Sequence, residues 1–520
     1  MEKQRMKCVL QTVSPIHVGC DEVYEPFGFV VDEKKKQLIV FETLAFIAGL
    51  NQADRKKFSD ICRKGNIESI LEIYKFLRNR PVNGRFVNTC SGFHAHYEKV
   101  LGTPPGRIKN ELNNFKIERT SFCASDHRPY IPGSAIKGAL RTAYLNMLAD
   151  KARDYSSDIK KLGQSDRENR ERNKPRVKIH KILEEKLLGL DKLPDREKMY
   201  KDPFRLVKVS DFIPAGDTKT MIVYVINKKK KISDKEARGP YQILETILPG
   251  AHFIGEIVVD TSQRQDAVSF PVELEKLLYS ANHFYKKERH RENRELGNIG
   301  ITISEAPEAE DGTLIRIGRH SGAESVTIKK YRDIKIMLGN RKQTFEDHAT
   351  TIWLTSEVQK PNRSKSLSPL GWAFFSPLTQ EMENQIKAEE DAFQKSRELA
   401  IGEEKRKQKE IYLQKQQEHK RISEQKKLAE KRRKAEEKRK AELEAMTPEE
   451  RVITELSDPK VSENRVIEIY NGLDDFSEEN KKDLALALKS YWEAHGKWKK
   501  KDCSKKQWNK VRKVKGILGE

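Results

Sequence analysis

Two cations, Lys137 and Arg141, stand four residues apart in the segment Tyr130-Ile-Pro-Gly-Ser-Ala-Ile-Lys-Gly-Ala-Leu-Arg-Thr-Ala143. Pro132-Gly133 predicts a turn and Ser134 a helix cap. Ile136, Ala139, Leu140, Ala143, Tyr144 and Met147 then line one apolar helical face. Free amides at such a helix start attract anions, and Lys137 and Arg141, on one face a turn further on, extend that site. Gly138 leaves room for a phosphate or a second backbone. The same spacing also describes an ordinary core helix carrying two solvated cations. A second set lies in Ile315-Arg-Ile-Gly-Arg-His-Ser-Gly322. Gly318 and Gly322, flanked by Arg316, Arg319 and His320, describe a loop whose amides and cations can hold phosphate. That loop does not follow the glycine patterns of nucleotide enzymes. A third segment, Ser14-Pro-Ile-His-Val-Gly19, places His17 and Gly19 directly after an apolar run.

Acid–base chemistry would have to come from His17, His127 or His320, with Asp21 and Asp126 near them in sequence. Spacing alone puts none of these histidines within reach of a second catalytic group, so no catalytic residue is expected. Cys90, His94 and His96 lack a fourth ligand, and the six cysteines form no C-x-x-C pair. Neither a metal nor another cofactor is expected, and a reducing, cytoplasmic setting is. The first residues are polar and charged, and no stretch approaches the roughly 18 apolar residues of a membrane span. Lys and Arg number 101 against 79 Asp and Glu, a net charge of +22. Such a surplus calls for a polyanionic partner, most commonly nucleic acid.

The elements that must position these residues alternate between strand and helix up to about residue 380. Strands are predicted at Cys8–Val13, Phe27–Asp32, Gln37–Phe41 and Thr220–Ile226, and as a pair, Glu245–Leu248 and His252–Asp260, around Pro249-Gly250. Helices are predicted from Ile67, Ile70, Leu71, Tyr74 and Leu77, and from Leu274, Leu277, Leu278, Ala281 and Phe284. This mixture argues an α+β body of two units, 1–150 and 202–379, separated by a charged, mobile insertion at 151–201. From Glu403 to Glu442 there are sixteen Lys/Arg and nine Glu with no Gly or Pro. The stretch 380–445 therefore reads as a solvated helical spacer. A small basic helical domain, 446–520, opens at the capping sequence Thr447-Pro-Glu-Glu450. Its tail sets Trp498 and Trp508 among Lys500, Lys510, Arg512 and further lysines, a second candidate RNA surface in which bases would stack on the indoles. A small helical bundle with a tryptophan core and a solvated basic face accounts for that pattern equally well.

The segments around His17, Ser134 and Gly318, together with Asp202-Pro-Phe-Arg-Leu-Val-Lys-Val-Ser-Asp211 and Leu370-Gly-Trp372, resemble the RAMP superfamily of CRISPR-associated proteins. The likeness runs from about Met1 to Leu378 and is greatest to the fifth-subunit family of the type III-A Csm complex. The resemblance implies two RRM-like (ferredoxin-like) units and a role in binding rather than chemistry. On that reading the chain is a ribonucleoprotein subunit that caps the 3′ end of a guide (CRISPR) RNA and supports its maturation and complex assembly in antiviral defence. Its partners would be that RNA, an adjacent backbone RAMP subunit and target RNA, in a prokaryotic cytoplasm. The RNA-binding residues would be His17, Gly19, Gly133, Ser134, Lys137, Gly138, Arg141, Arg316, Gly318, Arg319, His320 and Gly322. Two alternatives stay open: a RAMP-type endoribonuclease using His17 or an aspartate, and an unrelated RNA-binding interaction protein.

Overall fold

The computed structural model describes the chain except at 1–2, 83, 172–176, 234–236, 238, 261–266, 304, 306, 308–310, 340–341, 362–365 and 459. It leaves out the side chains of a few further residues, among them 167, 170, 171, 405 and 407. Two compact units emerge, Met1–Ile401 and Gly402–Glu520.

The first unit is α+β and holds two large sheets. One runs Thr313–Arg316, Trp372–Pro377, Gln4–Thr12, His252–Val259, Val207–Val209, antiparallel throughout. Gln4–Thr12 lies at its centre. Leu10 packs with the helices Gly133–Lys151 and Leu274–Gly297, while Val9 on the opposite face packs with Ala215 and Ile386. Burial on both faces is why this strand reads as an apolar run rather than an alternation. The other sheet runs Gly19–Val23, Ile117–Thr120, Gln242–Ile247, Thr220–Lys229, Arg85–Thr89, Gln37–Val40, Phe29–Asp32, with Thr351–Ser356 also paired to Thr220–Lys229.

Both sheets draw on both halves of the sequence, so the strands do not separate into 1–150 and 202–379. The Pro249-Gly250 turn shows why. Gln242–Ile247 pairs within the second sheet and His252–Val259 within the first, so the turn carries the chain between sheets instead of closing a hairpin. Thr12 holds it in place: its hydroxyl donates to the Leu248 carbonyl at 2.7 Å and its own carbonyl accepts from the Gly250 amide at 2.7 Å.

The segment 151–201 is folded where it is described, contrary to the expected mobile insertion. Helices Ser156–Glu171, Ile179–Leu187 and Asp195–Lys201 bring Leu183, Leu187, Leu188 and Leu190 against Leu145, Ala149 and Tyr331. Four leucines within eight residues were enough to dock a segment whose charges dominated its appearance. Its centre near 172 lies outside the described residues.

One helix spans Gln380–Ala445. Its start belongs to the first unit: Ile386 is buried, Arg128 makes two hydrogen bonds to Glu390 at 2.7 and 3.0 Å, and Arg397 donates to the Ser125 carbonyl. The body therefore continues past residue 379 to Ile401. Further along, Glu430–Lys434 and Arg433–Glu437 form the i,i+4 pairs of a solvated helix. The Glu403/Lys407 pairing falls on a side chain outside the described residues.

Within the second unit, helices Pro448–Glu455, Glu463–Asn471, Glu478–Ala494 and Lys505–Leu518 enclose their own core of Leu484, Leu488, Trp492, Trp498, Val511 and Val514. The first is entered through the expected capping box, with Thr447 and Glu450 satisfying each other's amides.

Candidate nucleic-acid interface

The motif segments, hundreds of residues apart in sequence, are braided together. The Arg319 amide donates to the His17 carbonyl at 2.8 Å, the Ile317 amide to Gly371 at 2.8 Å, and the Gly371 amide to Pro15 at 2.9 Å. The Trp372 amide donates to the Ser14 hydroxyl at 2.9 Å. Val18 then accepts from Ser121, whose own carbonyl accepts from Tyr130, so the loop of residues 121–131 joins the braid and runs on into the motif helix. Gly318 has φ +82°, and a Cβ there would lie 2.4 Å from the His17 carbonyl oxygen. Only glycine permits that crossing.

Several residues expected to hold RNA are instead spent inside the protein. Arg316 is fully buried. Its Nη1 lies 2.5 Å from Glu292 Oε1, and Glu292 also accepts from the Trp372 indole at 2.5 Å. His17 is 0% exposed, its Nδ1 2.7 Å from the Glu245 carbonyl oxygen, and burial followed by the nearby Arg319 charge lowers its pKa. It cannot reach a phosphodiester. Glu245 itself is buried beneath the braid, paired with Arg85 at 2.7 Å and accepting from Thr220 at 2.7 Å. Arg319, by contrast, is exposed at the surface, where it pairs with Glu118. His320 bonds Gln242 at 2.8 Å and stacks near Trp353, with its pKa lowered to about 4 by burial, then by Arg319 and His17. Gly322, φ +81°, turns the chain beside Arg316.

The motif helix starts at Gly133, two residues earlier than predicted, with Pro132 rather than Ser134 at the cap. The Gly133 amide donates to Asp211 Oδ1 at 2.8 Å, so the protein's own carboxylate takes the place assigned to an anion. A Cβ on Gly133 would sit 2.4 Å from the Val209 carbonyl, so this glycine serves close packing. Arg141 is held by Asp202 at 3.0 Å and Glu184 at 3.1 Å. Ser134, Lys137 and Gly138 remain on the open side, with no atom near a Cβ built on Gly138. Among the described residues Lys137 pairs with no carboxylate within 4 Å. Burial lowers its pKa, Asp202 opposing and Arg141 adding to the effect.

A surface that spacing did not reveal lies on the loop before this helix. Arg119 lies over the Phe122 ring at 3.6 Å, and Phe122 stacks on His127 at 5.6 Å. The outer ring, His127, is exposed, and burial followed by Arg119 lowers its pKa, which favours an uncharged ring. A guanidinium–aromatic–imidazole column next to the exposed Gly19 suits a stacked base. Arg119-Thr-Ser-Phe122 gave no periodic signal by which to find it. Among described residues other than glycine, φ is positive at Asp21, Lys36, Asn79, His127 and His320. Three of these five border the braid, where strained backbone concentrates in binding sites. Cys90, His94 and His96 do not form a metal centre: His96 sits 3.0 Å from the Tyr224 hydroxyl and His94 2.9 Å from Thr89. Among the described residues no group of His, Cys, Asp and Glu could hold a metal, and no helix is long and apolar enough to cross a membrane.

In the tail, Trp498 is buried on Trp492, contrary to the expectation that it stacks a base, while Trp508 packs partly buried against the same core. Lys510 lies over the Tyr470 ring, and Lys489 and Lys515 over Trp498. Lys500 and Arg512 are exposed.

Behind the glycine loop, Glu324 fixes the chain to the body. Lys230 lies 2.5 Å away and Arg291 3.7 Å, and the Ala349 amide donates at 2.9 Å. Burial opposes ionisation, but Lys230 and Arg291 bring its pKa down from 4.5 to about 2. The folded carboxyl thus binds its proton less readily than the unfolded one. The stability it lends is whole above pH about 4.5 and is lost as the pH falls towards about 2, a total of about 3 kcal/mol. Denaturant melts of wild type and Glu324→Gln are expected to differ widely at neutral pH and to converge in that acid window. A gap that stays constant with pH would show that the charge of Glu324 is not what holds the segment.

The RAMP superfamily model matches residues 9–498. The chain is 26% identical over 235 residues to the CRISPR system Cms protein Csm5 of Methanocaldococcus jannaschii, covering 44% of this chain and 47% of that protein. It thus spans about half the length of that relative. Among solved structures it is similar to a chain of a Csm-crRNA-target RNA ternary complex of a type III-A CRISPR-Cas system, at 17% identity and a TM-score of 0.44, covering 72% of this chain and 100% of that one. It is also similar to Csm5 of T. onnurineus, at 18% identity and a TM-score of 0.39, covering 70% and 99%.

Proposed function

The chain belongs to the RAMP superfamily, and from that premise we propose that it is a non-catalytic, RNA-binding subunit of a type III-A CRISPR effector complex. In this reading it holds the 3′ end of a guide RNA and packs beside a backbone RAMP subunit, with target RNA passing nearby. The observation that carries the reading is the braid: the His17, Ser134, Gly318 and Gly371 segments meet in one place and leave at the surface a stacking column and a cation, Lys137. A guide of any sequence has to be held by backbone charge and stacking rather than base edges, and these groups supply both. We also propose that the body derives from RRM-like units. In support, four strands of the first sheet and the two helices packed on it follow the chain order strand, helix, strand, strand, helix, strand through Gln4–Thr12, Gly133–Lys151, Val207–Val209, His252–Val259, Leu274–Gly297 and Trp372–Pro377. The burial of His17 argues against a ribonuclease built on it.

Two substitutions separate the two kinds of contact. Lys137→Glu is expected to weaken binding of unrelated single-stranded RNAs equally and to lower the slope of log K against log salt by roughly 0.7. His127→Ala is expected to lower affinity while leaving the slope in place, since a stacked base carries no counterion. If Lys137→Glu changes neither affinity nor slope, the interface lies elsewhere. Incubated with guide or target RNA, with and without divalent metal, the protein is expected to leave both intact. Cleavage abolished by His17→Ala with binding retained would instead establish the ribonuclease.

A further inference from the structure

The second unit has its charges sorted. Residues 447–496 carry six Lys/Arg against twelve Asp/Glu, whereas residues 497–520 carry ten against two. Part of the basic side is used internally: Lys497 pairs with Glu463, Lys513 with Asp474 at 2.5 Å, and Lys515 with Glu520 at 3.7 Å. Lys499, Lys500, Lys501, Lys505, Lys506 and Arg512 are exposed, and among the described residues none of them lies within 4 Å of a carboxylate. They come from the short turn Lys500–Asp502, with Lys499 at its cap, and from the helix Lys505–Leu518, where Ser504 caps the Gln507 amide.

This arrangement costs the unit some stability. Six like charges in fourteen residues repel one another. Lys505 and Lys506 also stand in a first turn with no acidic residue, the end at which the helix dipole disfavours cations. A local rule broken without compensation inside the fold points to compensation from outside. The family match stops at residue 498, immediately before this run.

We propose that this basic face is a second nucleic-acid site, independent of the one on the first unit, which binds RNA through its phosphate backbone without regard to sequence. Phosphate rather than base is the group recognised, because Trp492 and Trp498 are buried in the core, Trp498 beneath Lys489 and Lys515, and Trp508 packs against the same core. A sequence-tolerant grip of this kind suits a strand whose sequence the protein cannot anticipate.

The test uses the full chain and a labelled oligouridine, with Lys137→Glu as background so that the first site is weakened. Adding Lys499→Glu, Lys500→Glu, Lys501→Glu, Lys505→Glu, Lys506→Glu and Arg512→Glu is expected to remove most remaining affinity and to lower the salt slope by roughly 0.7 for each phosphate that is no longer neutralised. Lys499→Gln, Lys500→Gln and Lys501→Gln, which precede the helix, are expected to give about half that change in slope. They decide the matter if the larger variant does not fold. An unchanged slope in a folded variant overturns the proposal. So does an unchanged RNA affinity accompanied by lost binding to polyglutamate, which would identify an acidic protein as the partner.

Discussion

Glutamine in place of Glu292 is expected to lower the unfolding free energy of the first unit by about 3–5 kcal/mol, the cost of leaving one partner of a buried ion pair uncompensated. Neither Glu292 nor Arg316 has an exposed side chain. Glutamine keeps the shape and can still meet the Trp372 indole, so the change isolates the charge. The guanidinium would then remain in a dry site with the Leu370 carbonyl, at 3.0 Å, as its neutral partner. Pairing Glu292→Gln with Arg316→Met removes both charges, keeps an acceptor for the Trp372 indole and is expected to recover part of the loss. Denaturant unfolding of the two single variants and the double variant gives the coupling directly. A cost below about 1 kcal/mol for Glu292→Gln, judged against that rule for buried pairs, would mean that water reaches the site.

Gly318→Val is expected to be nearly as severe and to differ sharply from Gly322→Val. Both glycines have positive φ, which costs another residue about 1–2 kcal/mol. At Gly322 the nearest obstacle is the end of Arg316, 3.3 Å away. At Gly318 it is the His17 carbonyl at 2.4 Å, the same oxygen that accepts from Arg319. Valine there has to separate the two loops and break that hydrogen bond, for a total of about 3 kcal/mol or more. Thermal melts should rank Gly318→Val well below Gly322→Val, and RNA binding should fall with it as the neighbouring column shifts. Equal melting points for the two variants would show that the crossing is looser than its geometry indicates.

These two sites show how far the sequence could be read. Gly318 announced a loop in need of backbone freedom, but its crossing with the His17 carbonyl, about 300 residues away in sequence, was not legible. Arg316 had the same neighbours and was assigned to phosphate. Its true partner lies on Leu274–Gly297, where Glu292 sits in a run of Lys, Arg and Glu that looks solvated. The strands at Gln4–Thr12 and Gln37–Val40 and the helix Ile67–Leu77 were legible because apolar spacing is local. The helix start at Gly133 was legible to within two residues, but its occupant was not, since Asp211 is 78 residues away. Trp498 stood among lysines that cover its ring, and a cation beside an aromatic looks the same in sequence whether it faces RNA or shields a core.

The central place of Gln4–Thr12 in its sheet fixes when the body can form. Its neighbours are His252–Val259 and Trp372–Pro377, so this strand waits about 240 residues of further synthesis for its first partner and about 360 for its second. Loops of that length are slow to close, and until they do an apolar strand with two open edges has to be kept from pairing with other chains. Synthesis that stops short of Pro377 leaves this strand with one edge permanently bare. Such a product would be a template for aggregation, not a smaller working body.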